Sequence, residues 1–542
     1  MEIRQTMNSQ TNNPRRQSFT SARLAPAASA ALLLLAGCRV GPKYVQPVVP
    51  PPPAYKESAP AAYSNTPPGT WQPAKPQDAA LKGKWWEIFD EPELNALEDK
   101  LDINNQNIAQ YFQNFMAARA QIGQAKSQLY PTLTTVPSYA RTKSPGTLRG
   151  VGVTSSSGTG STGTGTGTTT GTTSTTSSGT TSTDLSLPFD VTWEPDLWGK
   201  IRNTIREYQY ATQVSAADLE NERLTEQADL AEYYFELRGQ DALQDLYNRT
   251  VKADREALDL TKALVETGID NPESVAQAEV TLENAQENGI GIATNRALYE
   301  HAIATLIGQP ASTFSLPVRS LLTPLPAIPV GVPAELLQRR PDIAAAERTM
   351  AEANALIGVE KAAYYPNLSL TGTGGLESST ISTLFSVPAF FWTLGSSATE
   401  TIFDAGLRRA TVAQYTAQYN ADVAAYKQTV LTAFQQVEDY IATIRVASQQ
   451  IVKQDDAVRS AQRYLDLAQA RYQTGLDPYL DVITAQNTLL SDQQTQVTLR
   501  VNEMTAAVEL IQALGGGWNA GQLPAASQVN TTKAATQVSG TP

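Results

Sequence analysis

At 542 residues the chain is long enough for two or three ordinary domains. Yet only 7% of it is aromatic, and Ala, Gln, Thr and Ser crowd most segments, a balance that suits long amphipathic helices better than one thick core. A net charge of −12 argues against nucleic acid as a partner. The single cysteine, Cys38, and the single histidine, His301, exclude an internal disulfide framework and a Cys/His metal centre. Nucleophile elbows, phosphate-binding glycine loops and zinc spacings are missing too, so no catalytic residue, metal or cofactor is expected.

The chain opens with a positive region (Arg15, Arg16, Arg23), an apolar stretch from Leu24 to Leu35, and the small-residue tetrad Leu35-Ala36-Gly37-Cys38. Residues 1–37 read as an export signal, to be set apart from the fold. The tetrad resembles the lipobox of bacterial lipoproteins, which implies lipidation of Cys38 as the first mature residue. Arg39 stands where lipoproteins kept in the inner membrane usually carry Asp, and this favours the outer membrane.

Ala120-Gln121-Ile122-Gly123 with Tyr130-Pro131 recurs as Ala355-Leu356-Ile357-Gly358 with Tyr365-Pro366, and Leu258-Asp259-Leu260 with Thr267-Gly268 recurs as Leu465-Asp466-Leu467 with Thr474-Gly475. Two halves therefore share one plan. The first carries an insertion, Thr154 to Thr183, that is nearly pure Ser, Thr and Gly and has nothing to bury. Each half is expected to hold one very long helix, from Lys200 to Thr267 and from Leu407 to Tyr472. In the second, apolar residues from Val412 through Tyr419, Tyr426 and Val437 to Ile444 recur about every 3.6 residues. At ~1.5 Å per residue such helices would extend on the order of 100 Å. Gly268 and Gly475 would end them, and Asn271-Pro272 and Asp477-Pro478 would each supply an N-cap and first-turn proline for a returning helix.

Four Thr/Val/aromatic-rich stretches, Leu133 to Arg141, Leu185 to Glu194, Asn367 to Leu376 and Phe390 to Ile402, read as strands forming two hairpins. Polar loops 142–184 and 377–389 would join them. No run of eighteen apolar residues follows Ala36, so a closed barrel is the remaining way to span a membrane. Four strands are too few for one chain to close alone. A lipid-anchored helical spacer or adhesin-like protein with small hairpins has the same strand count, and periodicity does not separate the two.

Several separate motifs bear on that choice: Cys38-Arg39-Val40-Gly41-Pro42, Trp85-Trp86-Glu87-Ile88-Phe89, Trp193-Glu194-Pro195-Asp196-Leu197-Trp198-Gly199, Arg339-Arg340-Pro341-Asp342-Ile343 and Phe403-Asp404-Ala405-Gly406. Together they resemble the TolC-like outer membrane factor family, in its NodT-type lipoprotein branch, over about residues 38–518. The resemblance implies a mainly α fold with β. Its homotrimer would form a twelve-stranded β-barrel, four strands per chain, continuous with a long periplasmic α-helical barrel. The divisions expected are signal peptide 1–37, extended segment 38–91, first repeat 92–310 with hairpin 133–194, linker 311–332, second repeat 333–518 with hairpin 367–402, and disordered tail 519–542.

The function so implied is a passive outer-membrane conduit for small molecules. They would be delivered by an inner-membrane pump of the resistance-nodulation-division (RND) type and a periplasmic adaptor, with outer-membrane lipid around the barrel. A type I secretion duct has the same architecture and is the nearest alternative. Turns at Gly268, Gly475 and Asp477 are expected to meet the adaptor. By resemblance Asp481 falls on a gate carboxylate, with Tyr472, Glu273 and Ser274 at gate-closing positions. Tyr139, Trp193, Trp198, Phe390, Phe391 and Trp392 are expected to mark the membrane boundary.

Overall fold

A computed structural model describes residues 39–57, 83–143, 181–320, 324–328 and 333–529. Cys38, the export signal and most of the Ser/Thr/Gly segment lie outside the described residues. The chain divides into two compact units, one of Met1–Gly41, Lys126–Asn203 and Gly358–Arg409, the other of Pro42–Ala125, Thr204–Ile357 and Ala410–Pro542.

Helices α1 (Pro92–Asn104) and α2 (Gln106–Ser127) precede strands β1 (Thr132–Thr135), β2 (Ser138–Lys143) and β3 (Thr181–Trp193). The long helix α3 (Lys200–Glu266) and its return α4 (Pro272–Leu306) complete the first half. The second half repeats the order: α5 (Pro333–Arg339), α6 (Pro341–Ala362), β4 (Asn367–Ser378), β5 (Phe390–Thr399), α7 (Leu407–Gln473) and α8 (Tyr479–Ala513). Both long helices have 67 residues and both returns have 35, so the sequence repeat is also a repeat of structure.

The first unit is an antiparallel sheet in the order β1/β2, β3, β4, β5. The expected continuous first strand is interrupted. β1 and β2 keep one register against β3, Thr135 opposite Phe189 and Ser138 opposite Ser186, but the ladder lapses between them. Pro137 and Pro188 fall in that gap, and neither has an N–H to donate. Thr135 Oγ1 instead donates to the Pro188 carbonyl at 2.7 Å. Opposite Pro188 stands Gly375, where an added Cβ would lie 2.3 Å from the Leu187 oxygen, so only glycine lets the strands approach. β3 starts four residues before the expected Leu185, because Thr181 to Asp184 pair with the end of β2.

The core of the second unit gathers Trp85, Trp86 and Phe89 with Leu230, Tyr234 and Phe235 of α3 and Val430, Val437 and Ile441 of α7. Tyr234 and Phe235 are 0% exposed, and burying such a side chain contributes about 1.5–3 kcal/mol. Trp85–Phe89 form a buried 3-10 helix, which corrects the expectation of an extended segment there: three aromatics in five residues leave water together. Residues 519–529 correct the disordered tail. Val529 is buried, Arg119 Nε donates to its carbonyl, and Gln213 Nε2 donates to that of Pro524. Arg238 stitches α1 to α3, its guanidinium shared by Glu93 and the fully buried Asp241.

Candidate functional site

The ends of both long helices are set by backbone chemistry. Gly268 has φ +76° and Gly475 φ +70°, left-handed values that glycine adopts without strain. In the first turn Gly268 N–H donates to Val265 and Ile269 N–H to Leu264. The second repeats this, with Gly475 N–H to Tyr472 and Leu476 N–H to Arg471. These paired bonds satisfy carbonyls the helix end would leave open. Asn271 then caps α4 as expected, its Oδ1 accepting from Ser274 N–H at 3.1 Å. Asp477 does not cap α8. Its carboxylate is held by Arg471, Nε at 2.5 Å and Nη2 at 2.8 Å, so the chain enters the helix one residue later from Pro478. That ion pair also holds Asp477 below the usual carboxylate range.

Between the two turns lies a polar cluster centred on Asp270. Its Oδ2 accepts from the Tyr472 hydroxyl at 2.6 Å, and its Oδ1 accepts from Ser274 Oγ at 2.9 Å and Asn271 N–H at 2.7 Å. Burial works to raise this carboxyl, but the three donors outweigh it and hold Asp270 below its ordinary range. Burial and the Asp270 hydrogen bond push the Tyr472 phenol up to about 12. Its ring packs on Tyr479 at 5.2 Å between centroids, and its oxygen lies 3.4 Å from Thr261 Oγ1. Four helices thus meet around one carboxylate.

Of the residues expected at the gate, Tyr472 and Ser274 come together on Asp270. Glu273 and Asp481 sit apart from that cluster, each in the first turn of its own helix, where a carboxylate favours the helix dipole. Asp270 belongs to no motif of the sequence, although the repeat aligns it with Asp477. The aligned pair differ in partner because Tyr472 has Val265 as its counterpart, so only one half can supply the phenol.

In the sheet unit, directly opposed residues share a face. One face carries Leu133, Tyr139, Leu187, Phe189, Val191, Trp193, Leu370, Leu376, Phe390, Trp392 and Leu394. Tyr139, Phe390, Trp392 and Leu394 are 65%, 61%, 67% and 76% exposed, an apolar surface that water alone would not favour. The other face carries Asp184, Asp190, Thr371, Thr373 and Glu377. Phe391 stands apart from the other expected aromatics, because strand alternation puts it opposite Gly375 on this polar face. Trp198 lies beyond the strand, its Nε1 donating to the Pro366 carbonyl at 2.8 Å and its ring stacked on Tyr365. Trp193 Nε1 likewise donates to the Leu129 carbonyl at 3.0 Å.

The profile of the outer membrane efflux protein family matches residues 97–309 and 332–516. The solvent efflux pump outer membrane protein SrpC of Pseudomonas putida is 30% identical over 497 residues, covering 91% of this chain and 98% of its own length. The probable efflux pump outer membrane protein TtgC of the same species is 29% identical over 507 residues, covering 92% and 97%. A solved structure of the outer-membrane channel OprN superposes with a TM-score of 0.75 at 27% identity, covering 89% of this chain and all of its own. The Campylobacter jejuni CmeC outer membrane channel, 22% identical, shares the fold with a TM-score of 0.76 over 90% of this chain and 97% of its own. The chain belongs to the outer membrane efflux protein family and is an outer-membrane channel of an efflux system.

Proposed function

We propose that three copies close their sheets into one twelve-stranded barrel and pack their long helices into a periplasmic duct. Small molecules pass through it passively from an RND-type inner-membrane pump and its periplasmic adaptor. The observation that carries this reading is the two-faced sheet with two open edges, β1/β2 on one side and β5 on the other. Unpaired edge groups cannot stay in hydrocarbon, and four strand positions are too few to close without further copies. No helix among the described residues is long and apolar enough to cross a membrane. The relatives named for toluene, solvent and antibiotic efflux support small organic compounds as the cargo class.

The anchor is Cys38, and the described residues after it support a fixed attachment. Arg39 Nε donates to Asn203 Oδ1 at 2.8 Å, Asn203 Nδ2 donates to the Val40 carbonyl at 2.9 Å, and Gly41 packs against Gly358. Radiolabelled palmitate should enter the wild type and not Cys38→Ser.

The helix turns form the periplasmic gate, with Tyr472, Ser274 and Glu273 near it and three Asp481 carboxylates at its narrow axis. Adaptor contact falls at Gly268, Gly475 and Asp477. Purified protein should cross-link as a trimer and conduct in planar bilayers. Asp481→Ala should lower cation preference under a KCl gradient, since charges within the ~8–10 Å Debye length are incompletely screened. A monomer that conducts nothing would overturn the duct, and an unchanged reversal potential would remove Asp481 from the gate.

A further inference from the structure

The strand register separates charge as sharply as it separates apolar from polar residues. On the polar face of the sheet the ionisable residues are Asp184, Asp190 and Glu377, three acids without a base. On the apolar face they are Arg141 and Lys143, two bases without an acid. Both lie on β2, opposite Thr183 and Thr181, at the end of the sheet where the chain turns back between strands. Both are exposed, and among the described residues neither makes an ion pair.

Arg141 and Lys143 follow Tyr139 on the same side of the strand, and two residues of strand advance ~7 Å. The aromatic ring therefore closes the apolar band, and the two cations stand about one and two such steps beyond it. A cation on the lipid side is costly at the bilayer midplane and tolerated near the headgroups, which matches this placement. An Arg fork suits a phosphate in bidentate geometry, and a Lys point charge ~7 Å away suits a second phosphate of the same headgroup. Among the described residues both side chains are exposed on the apolar face of β2.

We infer that Arg141 and Lys143 form a binding site for a phosphorylated lipid headgroup, the diphosphorylated glycolipid of the outer leaflet, on the outward face of the barrel. The inference rests on the reading that this sheet spans the membrane with its apolar face to lipid. The carboxylates on the opposite face repel the same headgroup, so the lipid is held outside the barrel only.

The full-length protein in phosphatidylcholine nanodiscs, titrated with diphosphorylated lipid A, tests the site by native mass spectrometry of bound lipid. Wild type should retain lipid A on the order of tenfold more strongly than R141S/K143S, while R141K/K143R should recover most of the difference. Enzymatically dephosphorylated lipid A should bind wild type and R141S/K143S alike. Equal retention of lipid A by wild type and R141S/K143S in a conducting protein would overturn the site and leave the spanning sheet intact. A protein that neither inserts nor conducts would overturn both.

Discussion

The Tyr472 hydroxyl donates a 2.6 Å hydrogen bond to the Asp270 carboxylate, joining the end of one long helix to the turn that follows the other. Tyr472→Phe removes this donor and keeps the ring that packs on Tyr479. A hydrogen bond to a charged group contributes about 1.5–3 kcal/mol net, so the variant should fold and show more frequent opening in single-channel recordings. Asp270 has its carboxyl held low, so its bonded form is complete above the unfolded carboxylate range and is lost as pH falls through the lower folded value. Strong acid should therefore mimic the Phe variant, and identical opening statistics in wild type and variant would dismiss the clasp.

Asp254 on α3 is 3% exposed with an unpartnered Oδ2, and burial pushes its carboxyl up to about 6. Gln494 Nε2 donates to the Tyr247 hydroxyl and Tyr479 reaches Thr261, which sets α8 against α3 on either side of Asp254. Protonated Asp254 is the form this interior accepts. The unfolded chain loses its proton first, near the ordinary carboxylate value, so the contribution of Asp254 to stability falls as pH rises from about 4 to about 6 and then levels. Asp254→Asn should make the slope shallower, leaving the part owed to Glu232 and Glu352, whose carboxyls burial pushes up to about 7, and raise stability near pH 7 by on the order of 1–2 kcal/mol, read by thermal unfolding from pH 4 to 8. A slope unchanged in the variant would assign it wholly to those other carboxylates.

Glycines with positive φ should divide into two classes on substitution. At Gly268 and Gly475 an added Cβ meets nothing within 4 Å, so Gly→Ala costs only the left-handed backbone, about 1 kcal/mol each. At Gly515 the Cβ would lie 2.0 Å from the Arg339 carbonyl oxygen, and Gly515→Ala should fail to assemble. Denaturation midpoints and gel-resolved trimer yield would show the contrast. Equal effects at all three positions would contradict it.

Leu394 is 76% exposed on the apolar face, in line with Gly372, Val191 and Leu133. Leu394→Lys puts a charge toward lipid at a cost of about 2–4 kcal/mol near the bilayer midplane, whereas Thr393→Lys on the polar face meets water. Membrane fractionation should show the first variant depleted from outer membranes and the second present at the wild-type level. Equal yields would mean that this face does not meet lipid.

Composition and periodicity by themselves determined the two-fold plan, the long helices, their glycine stops and the positions of four strand regions. These are local properties: an unbroken 3.6-residue stripe, a left-handed glycine and a Thr/Val/aromatic run each act over neighbouring residues. Tertiary structure alone decided which matched residues do the same work. Asn271 caps its helix while Asp477, the cap expected before the other returning helix, is taken by Arg471, and Asp270 draws in Tyr472 where the other half has only Val265. Register decided that Phe391 shares its face with Asp184, Asp190 and Glu377, and that Pro137 and Pro188 fall together and interrupt a strand. Pairing across long sequence separation depends on which partner arrives opposite, and no local signal carries that information.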